Sequence, residues 1–274
     1  MLRVGYRVVT VRMIDKTQFS NTTRHGLARV IARSGLCSRS QAIEWVRQGR
    51  VCVDGCRVTD PERRIATDLS QIEINGEPLP DVRRVYLAVN KPRGLVTTAR
   101  DERGRATVYQ VLDQSGLPWL APVGRLDRAS EGLLLMSNDS AWAAALLEPR
   151  RQVIKTYRVQ VRGVPGQTAF TQMREGVVCS GEKLAVAEVS LLRSGGRTAW
   201  LDMQIMEGRN RHLRRLLEAL NFPVLRLLRI AIGPLQLGDL PRGAWRHLTP
   251  NELRELDRSA GFSRSQKYVW PRRE

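Results

Sequence analysis

Between residues 24 and 64 the spacing of apolar positions changes from helical to alternating. In LARVIARSG, Leu27, Val30 and Ile31 recur at helical spacing and Gly35 follows as a C-terminal stop. Ser38 with Gln41 three residues later carries the signature of a capping box opening a second helix. Ala42, Ile43 and Val46 form the apolar side of that helix, and Gly49 ends it. VCVDGCRV then sets Val51 and Val53 ahead of an Asp54-Gly55 turn and Val58 after it, which predicts a hairpin. IEINGEPL, with its Asn75-Gly76 turn, completes the small module. The prolines of EPLPDVRR continue neither helix nor central strand, so this stretch reads as a linker.

From Val85 the pattern is that of a larger mixed domain. VYLAVN alternates Val85, Leu87 and Val89, and KTYRVQV alternates Tyr157, Val159 and Val161 against Thr156, Arg158 and Gln160. TAWLDMQIM aligns Leu201 with Met203 and Ile205 in a third strand. WAAALLEP and NRHLRRLLEALN are helical, the second with a stripe of Leu213, Leu216, Leu217 and Leu220. Strands and helices that do not alternate regularly predict an α+β fold rather than a doubly wound parallel sheet.

Charge changes the picture. Lys plus Arg number 45 against 27 Asp plus Glu, a formal net charge of +18. Solubility needs only about 2–8 charges on a small domain. The excess therefore predicts a polyanionic partner, a nucleic acid, and by self-repulsion a monomer. No apolar run approaches the ~20 residues of a membrane helix, so no membrane association is expected. Cys37, Cys52, Cys56 and Cys179 are expected to be reduced thiols of a cytoplasmic protein. Cys52 and Cys56 lack the second pair or histidine cluster that a zinc site needs, so no metal is expected. In MLRVGYRVVTVRMIDK, Arg3, Arg7 and Arg12 break the apolar core of a secretory signal. This segment is either a disordered basic extension or lies upstream of a start at Met13.

The candidate chemistry sits in GRLDRASEGLLLMSND. Asp127 lies between Arg125 and Arg128, just ahead of the apolar run Leu133 to Met136. A carboxylate there can cap a turn or hold a salt bridge. It can equally be a nucleophile, since an ionised carboxylate needs no activating base near neutral pH. On the leucine-striped helix, Arg211 and Arg215 point away from the stripe, towards solvent or RNA. Arg214 falls at its edge, able to reach a neighbouring cleft.

Two resemblances extend this reading. GLCSRSQAIEWVRQGRVCVDG resembles the S4 RNA-binding domain in its order of Gly, Ser-Arg, apolar helix, Gly-Arg-Val and turn. It implies RNA contacts by Arg29, Arg33, Arg39, Arg47 and Arg50. VGRLDRASEGLLLMSND resembles the signature of the RNA pseudouridine synthases, in the RsuA-like branch that modifies ribosomal RNA. KPRGLVTT, KTYRVQV, EGRNRHLRRL and LLRIAIGPLQLGDLPRGAWRHLTPNEL look like other motifs of that branch, in the same order, so the likeness spans residues 24 to 257. The implied fold is an S4 domain followed by a mixed, largely antiparallel sheet flanked by helices, with a cleft crossing the sheet. The implied organisation is a basic extension (1–23), the S4-like domain (24–82), the catalytic domain (83–257) and a basic tail (258–274).

By the same resemblance Asp127 matches the catalytic aspartate, Arg214 its partner, Tyr157 a residue stacking on the base, and Leu228 an apolar neighbour of the base. Lys91, Arg93, Arg125, Arg209 and Arg211 are then RNA contacts, Arg125 steering a phosphate or bracing the loop. Gly124 and Gly132 are expected to permit tight turns around Asp127. His212 stands where the family usually has Gln, which touches substrate positioning rather than the nucleophile. No cofactor is implied. The expected partner is ribosomal RNA or a ribosome-assembly intermediate, and EGRNRHLRRLLEAL and LPRGAW lie nearer the large-subunit enzymes. Two other readings stand beside it: the same chemistry on transfer RNA, and a non-catalytic assembly factor that uses the second domain only to bind.

Overall fold

The computed structural model describes residues 24–66, 70–80, 82–99, 101–113 and 115–264. The N-terminal extension and residues 265–274 of the expected tail lie outside the described residues, whereas Arg258 and Ser259 belong to the last helix and Ala260 is buried, so the folded part runs past the expected boundary at 257. Among the described residues the backbone divides into two compact units: residues 24–30 with Ala42–Leu79, and Ile31–Gln41 with residues 80–264.

Residues 24–79 contain the helices and hairpins that the apolar spacing predicts. Helix α1 spans Leu27–Ser34 and α2 spans Arg39–Arg47, with the Ser38 hydroxyl accepting from the Gln41 amide at 3.1 Å. Strands β2 (Val51–Val53) and β3 (Cys56–Val58) form the hairpin. With β5 (Ile72–Ile74) and β6 (Glu77–Pro78) they make a four-stranded sheet in the order β3-β2-β5-β6. Both turn dipeptides, Asp54-Gly55 and Asn75-Gly76, have positive φ at both residues, as a twist-matched two-residue turn requires. Outside the predicted elements, β1 (Arg24–Gly26) pairs antiparallel with β4 (Arg64–Ala66). Pairing so far apart in sequence leaves no local signature in three-residue strands.

The large unit is built on a nine-stranded sheet. Its strands are β7 (Tyr86–Lys91), β8 (Ala121–Val123), β9 (Glu131–Ser137), β10 (Lys155–Arg162), β13 (Glu188–Gly195), β14 (Thr198–Ile205), β15 (Val224–Ile232), β16 (Leu235–Gln236) and β17 (Trp245–His247). The order is β13-β14-β10-β15-β9-β7-β17, with β16 on β15 and β8 on β9. Every pairing is antiparallel except that of β15 with β9. The remaining hairpin, β11 (Val177–Cys179) with β12 (Glu182–Leu184), stands apart from this sheet.

Helices cover both faces. On one face Leu134, Met136, Val159, Leu201 and Met203 share a core with Phe170 and Met173 of α4 (Gln167–Glu175) and Leu213, Leu216 and Leu217 of α5 (His212–Ala219). On the other, Leu133 and Leu135 pack with Trp142 and Leu146 of α3 (Ser140–Leu147) and Leu253 and Leu256 of α6 (Pro250–Ser259). This explains the unbroken run Leu133–Met136. A strand buried on both sides has no polar face to alternate with.

The edge of β9 facing β15 is divided between two partners. Glu131 and Gly132 pair with Leu228 and Arg229 of β15, whereas Leu135, Met136 and Ser137 pair with β8. The sheet splits at the residues between, and the loop 124–130 that joins β8 to β9 leaves from this split. Gly132 is the pivot. It has φ +101, and a Cβ there would lie 2.3 Å from the Arg229 carbonyl oxygen and 2.7 Å from a Leu228 methyl. It sits within a strand rather than in the expected tight turn. What requires glycine is positive φ together with the close approach of β15.

Candidate active site

The loop carrying Asp127 is held by its backbone acceptors. The Thr97 hydroxyl donates to the Leu126 carbonyl (2.7 Å), and the Gly94 amide to that of Arg128 (2.7 Å). Lys91 Nζ donates to the carbonyls of Pro92 (3.1 Å), Asp127 (3.3 Å) and Ser130 (2.9 Å). Arg214 Nη2 donates to the Ala129 carbonyl (3.0 Å) and the Ser130 hydroxyl (3.4 Å). Every carbonyl from Leu126 to Ser130 is therefore engaged, which fixes the loop and leaves the Asp127 carboxylate over a third exposed (37%).

Lys91 corrects an expectation. It is fully buried and spends its ammonium on loop carbonyls, so it braces the Asp127 loop instead of contacting RNA. Burial lowers its pKa to about 8, against the opposing pull of Asp127 and Glu131.

A cleft of about 500 Å³ opens beside the carboxylate, entirely within the large unit. Asp127, Tyr157, Arg214, Arg125, Arg209 and Arg211 all line it. The Arg214 Nε lies 3.9 Å from Asp127 Oδ2, close enough for an ion pair and too long for a hydrogen bond. Burial lowers the pKa of this guanidinium, Arg211 adds to the effect, and Asp127 opposes it. Tyr157 is buried at the cleft and also belongs to the core cluster of Val159 and Val161, so its ring is held by packing.

Around the rim, Arg209 pairs with Glu207 at 2.6 Å, and Arg211 adopts a left-handed conformation (φ +48) as the N-cap of α5. Arg215 is not turned to solvent or RNA. It reaches Glu182 (2.6 Å) and the Cys179 carbonyl (2.5 Å), tying α5 to the β11–β12 hairpin. Arg93 is exposed and does not line the cleft.

Leu228 is not at the cleft either. It packs on the opposite face of the sheet, with the core of Leu133 and Leu135, while its neighbours Leu227 and Arg229 line the cleft. Strand alternation is the reason. Tyr157 pairs with Arg229, and Val159 with Leu227, so these residues share a face that Leu228 cannot.

Three other cleft residues escaped the sequence reading or gained meaning from the structure. His212 is buried; its Nε2 lies 2.8 Å from the Ala185 carbonyl. A carbonyl only accepts, so Nε2 carries the proton and Nδ1 is an acceptor. Burial lowers the His212 pKa, which keeps the ring neutral at neutral pH. Lys155 lines the cleft with its pKa lowered, first by burial and then by the charge of Arg229. Arg229 is 5% exposed and donates from Nε to the Leu133 carbonyl at 2.7 Å, at the split in the sheet. An (i, i+2) reading of LLRIAIG from Leu227 would have found it.

Of the N-terminal arginines expected to contact RNA, Arg29, Arg39, Arg47 and Arg50 are exposed and Arg33 is half-buried. Arg50 donates to Asn75 Oδ1 at 2.9 Å and lies over the Trp45 ring at 5.3 Å.

A pinned carboxylate, a nearby guanidinium and a buried tyrosine in one cleft form an arrangement suited to covalent work on a planar ring. Comparison with known proteins says which. Residues 85–219 match the RNA pseudouridylate synthase family and residues 26–68 the S4 domain. The chain is 36% identical over 233 residues to the ribosomal large subunit pseudouridine synthase B of Bacillus subtilis (strain 168), covering 84% of this chain and 94% of that one. It is 35% identical over 239 residues to an uncharacterised RNA pseudouridine synthase of Mycobacterium leprae (strain TN), covering 86% and 93%. A crystal structure of a pseudouridylate synthase superposes with a TM-score of 0.60 at 29% identity, covering 85% of this chain and 99% of that one. The chain belongs to the RNA pseudouridine synthases, with an S4 domain preceding the catalytic domain. These enzymes isomerise uridine within RNA to pseudouridine.

Proposed function

We propose that this protein isomerises a uridine of large-subunit ribosomal RNA, with Asp127 as the nucleophile. The observation that carries the nucleophile is the loop itself: its carbonyls from Leu126 to Ser130 are all engaged, while the Asp127 carboxylate faces the cleft 3.9 Å from Arg214 Nε. Support for the substrate comes from the large-subunit synthases of Bacillus subtilis and, at 37% identity, Yersinia pestis.

In this reading the target uridine is extruded from its stack, at a cost of a few kcal/mol, and its base lies on Tyr157. The Asp127 carboxylate forms a covalent bond to the nucleoside and is released at the end. Between these events the N1–C1′ bond breaks and a C5–C1′ bond forms. C5 gives its hydrogen to solvent as a proton, and N1 takes one up. Atoms and oxidation state are conserved, so the reaction as written calls for no cofactor. The exposed arginines of the S4 domain supply phosphate contacts that offset the cost of extrusion.

Release of tritium tests the reading. Large-subunit ribosomal RNA transcribed with C5-tritiated uridine would be incubated with wild type and with Asp127→Asn. Stoichiometric release by wild type and none by the variant is expected. Release by the Asn variant at the wild-type rate would remove Asp127 from the chemistry. Release from small-subunit or transfer RNA alone would move the substrate.

A further inference from the structure

The cleft holds unspent hydrogen-bonding capacity. Among the described residues, the buried side-chain nitrogens and oxygens without a partner are His212 Nδ1, Arg214 Nε and Arg229 Nη2, and all three residues line the one cleft. A buried donor without an acceptor costs about 1–3 kcal/mol, a burden that a ligand can lift. The three atoms differ in kind. Arg214 Nε is directed at Asp127. His212 Nδ1 is an acceptor, because Nε2 donates to Ala185. That leaves Arg229 Nη2 as the buried donor available to a substrate.

Its position says which part of the substrate. Tyr157 and Arg229 are direct partners across β10 and β15 on the cleft face, and such neighbours have Cβ atoms about 4.5–5.5 Å apart. A base stacked on Tyr157 therefore presents its edge to the guanidinium. Nε is fixed on the Leu133 carbonyl, so the group cannot swing away.

Resting on the nucleotide reading above, we propose that Arg229 reads the uracil base, donating from Nη2 to the O4 carbonyl oxygen. Two features of the chemistry favour a donor there. Whether Asp127 adds to the ring or the glycosidic bond breaks first, the displaced electron pair delocalises onto ring carbonyl oxygens, O4 among them. A fixed donor aimed at oxygen that gains charge is worth about 10²–10³ in rate. Cytosine carries an amino donor at the same place, so a guanidinium N–H rejects it by setting donor against donor.

The test substitutes one atom on each side of the contact. RNA carrying uridine, 4-thiouridine or 2-thiouridine at the target would be assayed with wild type, Arg229→Met and Arg229→Lys, thermal melts confirming that each variant folds. Sulfur is a weak acceptor, so wild type should lose about tenfold or more with 4-thiouridine, whereas 2-thiouridine should have a smaller effect. Arg229→Met should lose about a hundredfold on uridine in kcat and nothing further on 4-thiouridine. A purely structural arginine predicts losses that multiply, and that result, or coupling confined to 2-thiouridine, overturns the proposal. Should Arg229→Met not fold, Arg229→Lys carries the same comparison.

If wild type turns over no ribosomal RNA, the substrate reading has failed, and Arg229 is then judged by binding alone. Fluorescence anisotropy with single-stranded RNAs differing only in U against C should show a preference for U in wild type that Arg229→Met abolishes. An equal preference in both proteins sinks it.

Discussion

Arginine plays two different parts in the two units. In the cleft of the large unit, Arg214 and Arg229 are mostly buried, each spends a guanidinium N–H on a backbone carbonyl, and each keeps another without a partner. In the small unit Arg29 and Arg47 are exposed on short helices. The difference is one of geometry against field. A buried guanidinium bonded to carbonyls has one orientation and can act on a chosen atom. An exposed one is screened by salt within about 8–10 Å and contributes attraction without aim. On the proposed reading, recognition of RNA as a polyanion and recognition of one base fall to the same residue type in different surroundings.

Breaking the cleft should have the largest effect. Asp127→Asn should abolish turnover while leaving RNA affinity within about twofold, since in the proposed mechanism the residue contributes a nucleophile and no phosphate contact; full activity in a single-turnover assay would remove it from the chemistry. Arg214→Ala should lower kcat by about 10²-fold or more, because it removes the guanidinium beside Asp127 and a brace of its loop. Arg215→Ala should instead appear in the melting temperature, since that side chain ties α5 to Glu182 and Cys179. Equal kcat losses in the two variants would undo the distinction between them.

Gly132→Ala tests the pivot. With φ +101 and the Arg229 carbonyl 2.3 Å from the added carbon, it should cost at least ~2 kcal/mol of stability, read from urea unfolding. A neutral result would mean that β9 and β15 can part there freely.

Lys91 sharpens the comparison with a pH dependence. Its pKa is lowered by burial to about 8, so between there and the ordinary lysine value the unfolded chain binds more protons than the folded one. Stability from this group is complete above the ordinary value and declines as pH falls through about 8. The deficit of Lys91→Met relative to wild type should therefore grow as pH rises from 8 to 10, in paired unfolding curves. A constant deficit would mean that the ammonium is not desolvated.

The smallest effect belongs to the small unit. Arg29→Ala and Arg47→Ala should each weaken RNA binding modestly and reduce the slope of log affinity against log salt by about 0.7–1. Neither should change the rate of the bound complex.

Much of this was legible in the chain. The helical spacing of Leu213, Leu216 and Leu217 placed α5 and set Arg214 at the edge of its apolar stripe, where the structure has it half-buried beside Asp127. The two Asx-Gly turns marked both hairpins of the small unit. Misreadings came where a residue's surroundings are supplied by distant segments. Lys91 reads as a surface cation beside a strand until residues 127–130 fold over it. Leu228 and Leu227 are indistinguishable by composition. Their assignment to opposite faces needed the register of β15 against β10, including a shift between Thr156 and Tyr157.

By itself, then, the sequence determined the local elements, the charge that calls for a polyanionic partner and the neighbourhood of Asp127, because periodicity, turn chemistry and motif order are properties of short segments. Only the tertiary structure decided which cations are spent and which are available. That depends on where backbone acceptors come to lie: at the split between β8 and β15, beneath the Asp127 loop, and at the carbonyl of Ala185. A hydrogen bond between residues a hundred positions apart has no signature in either segment alone.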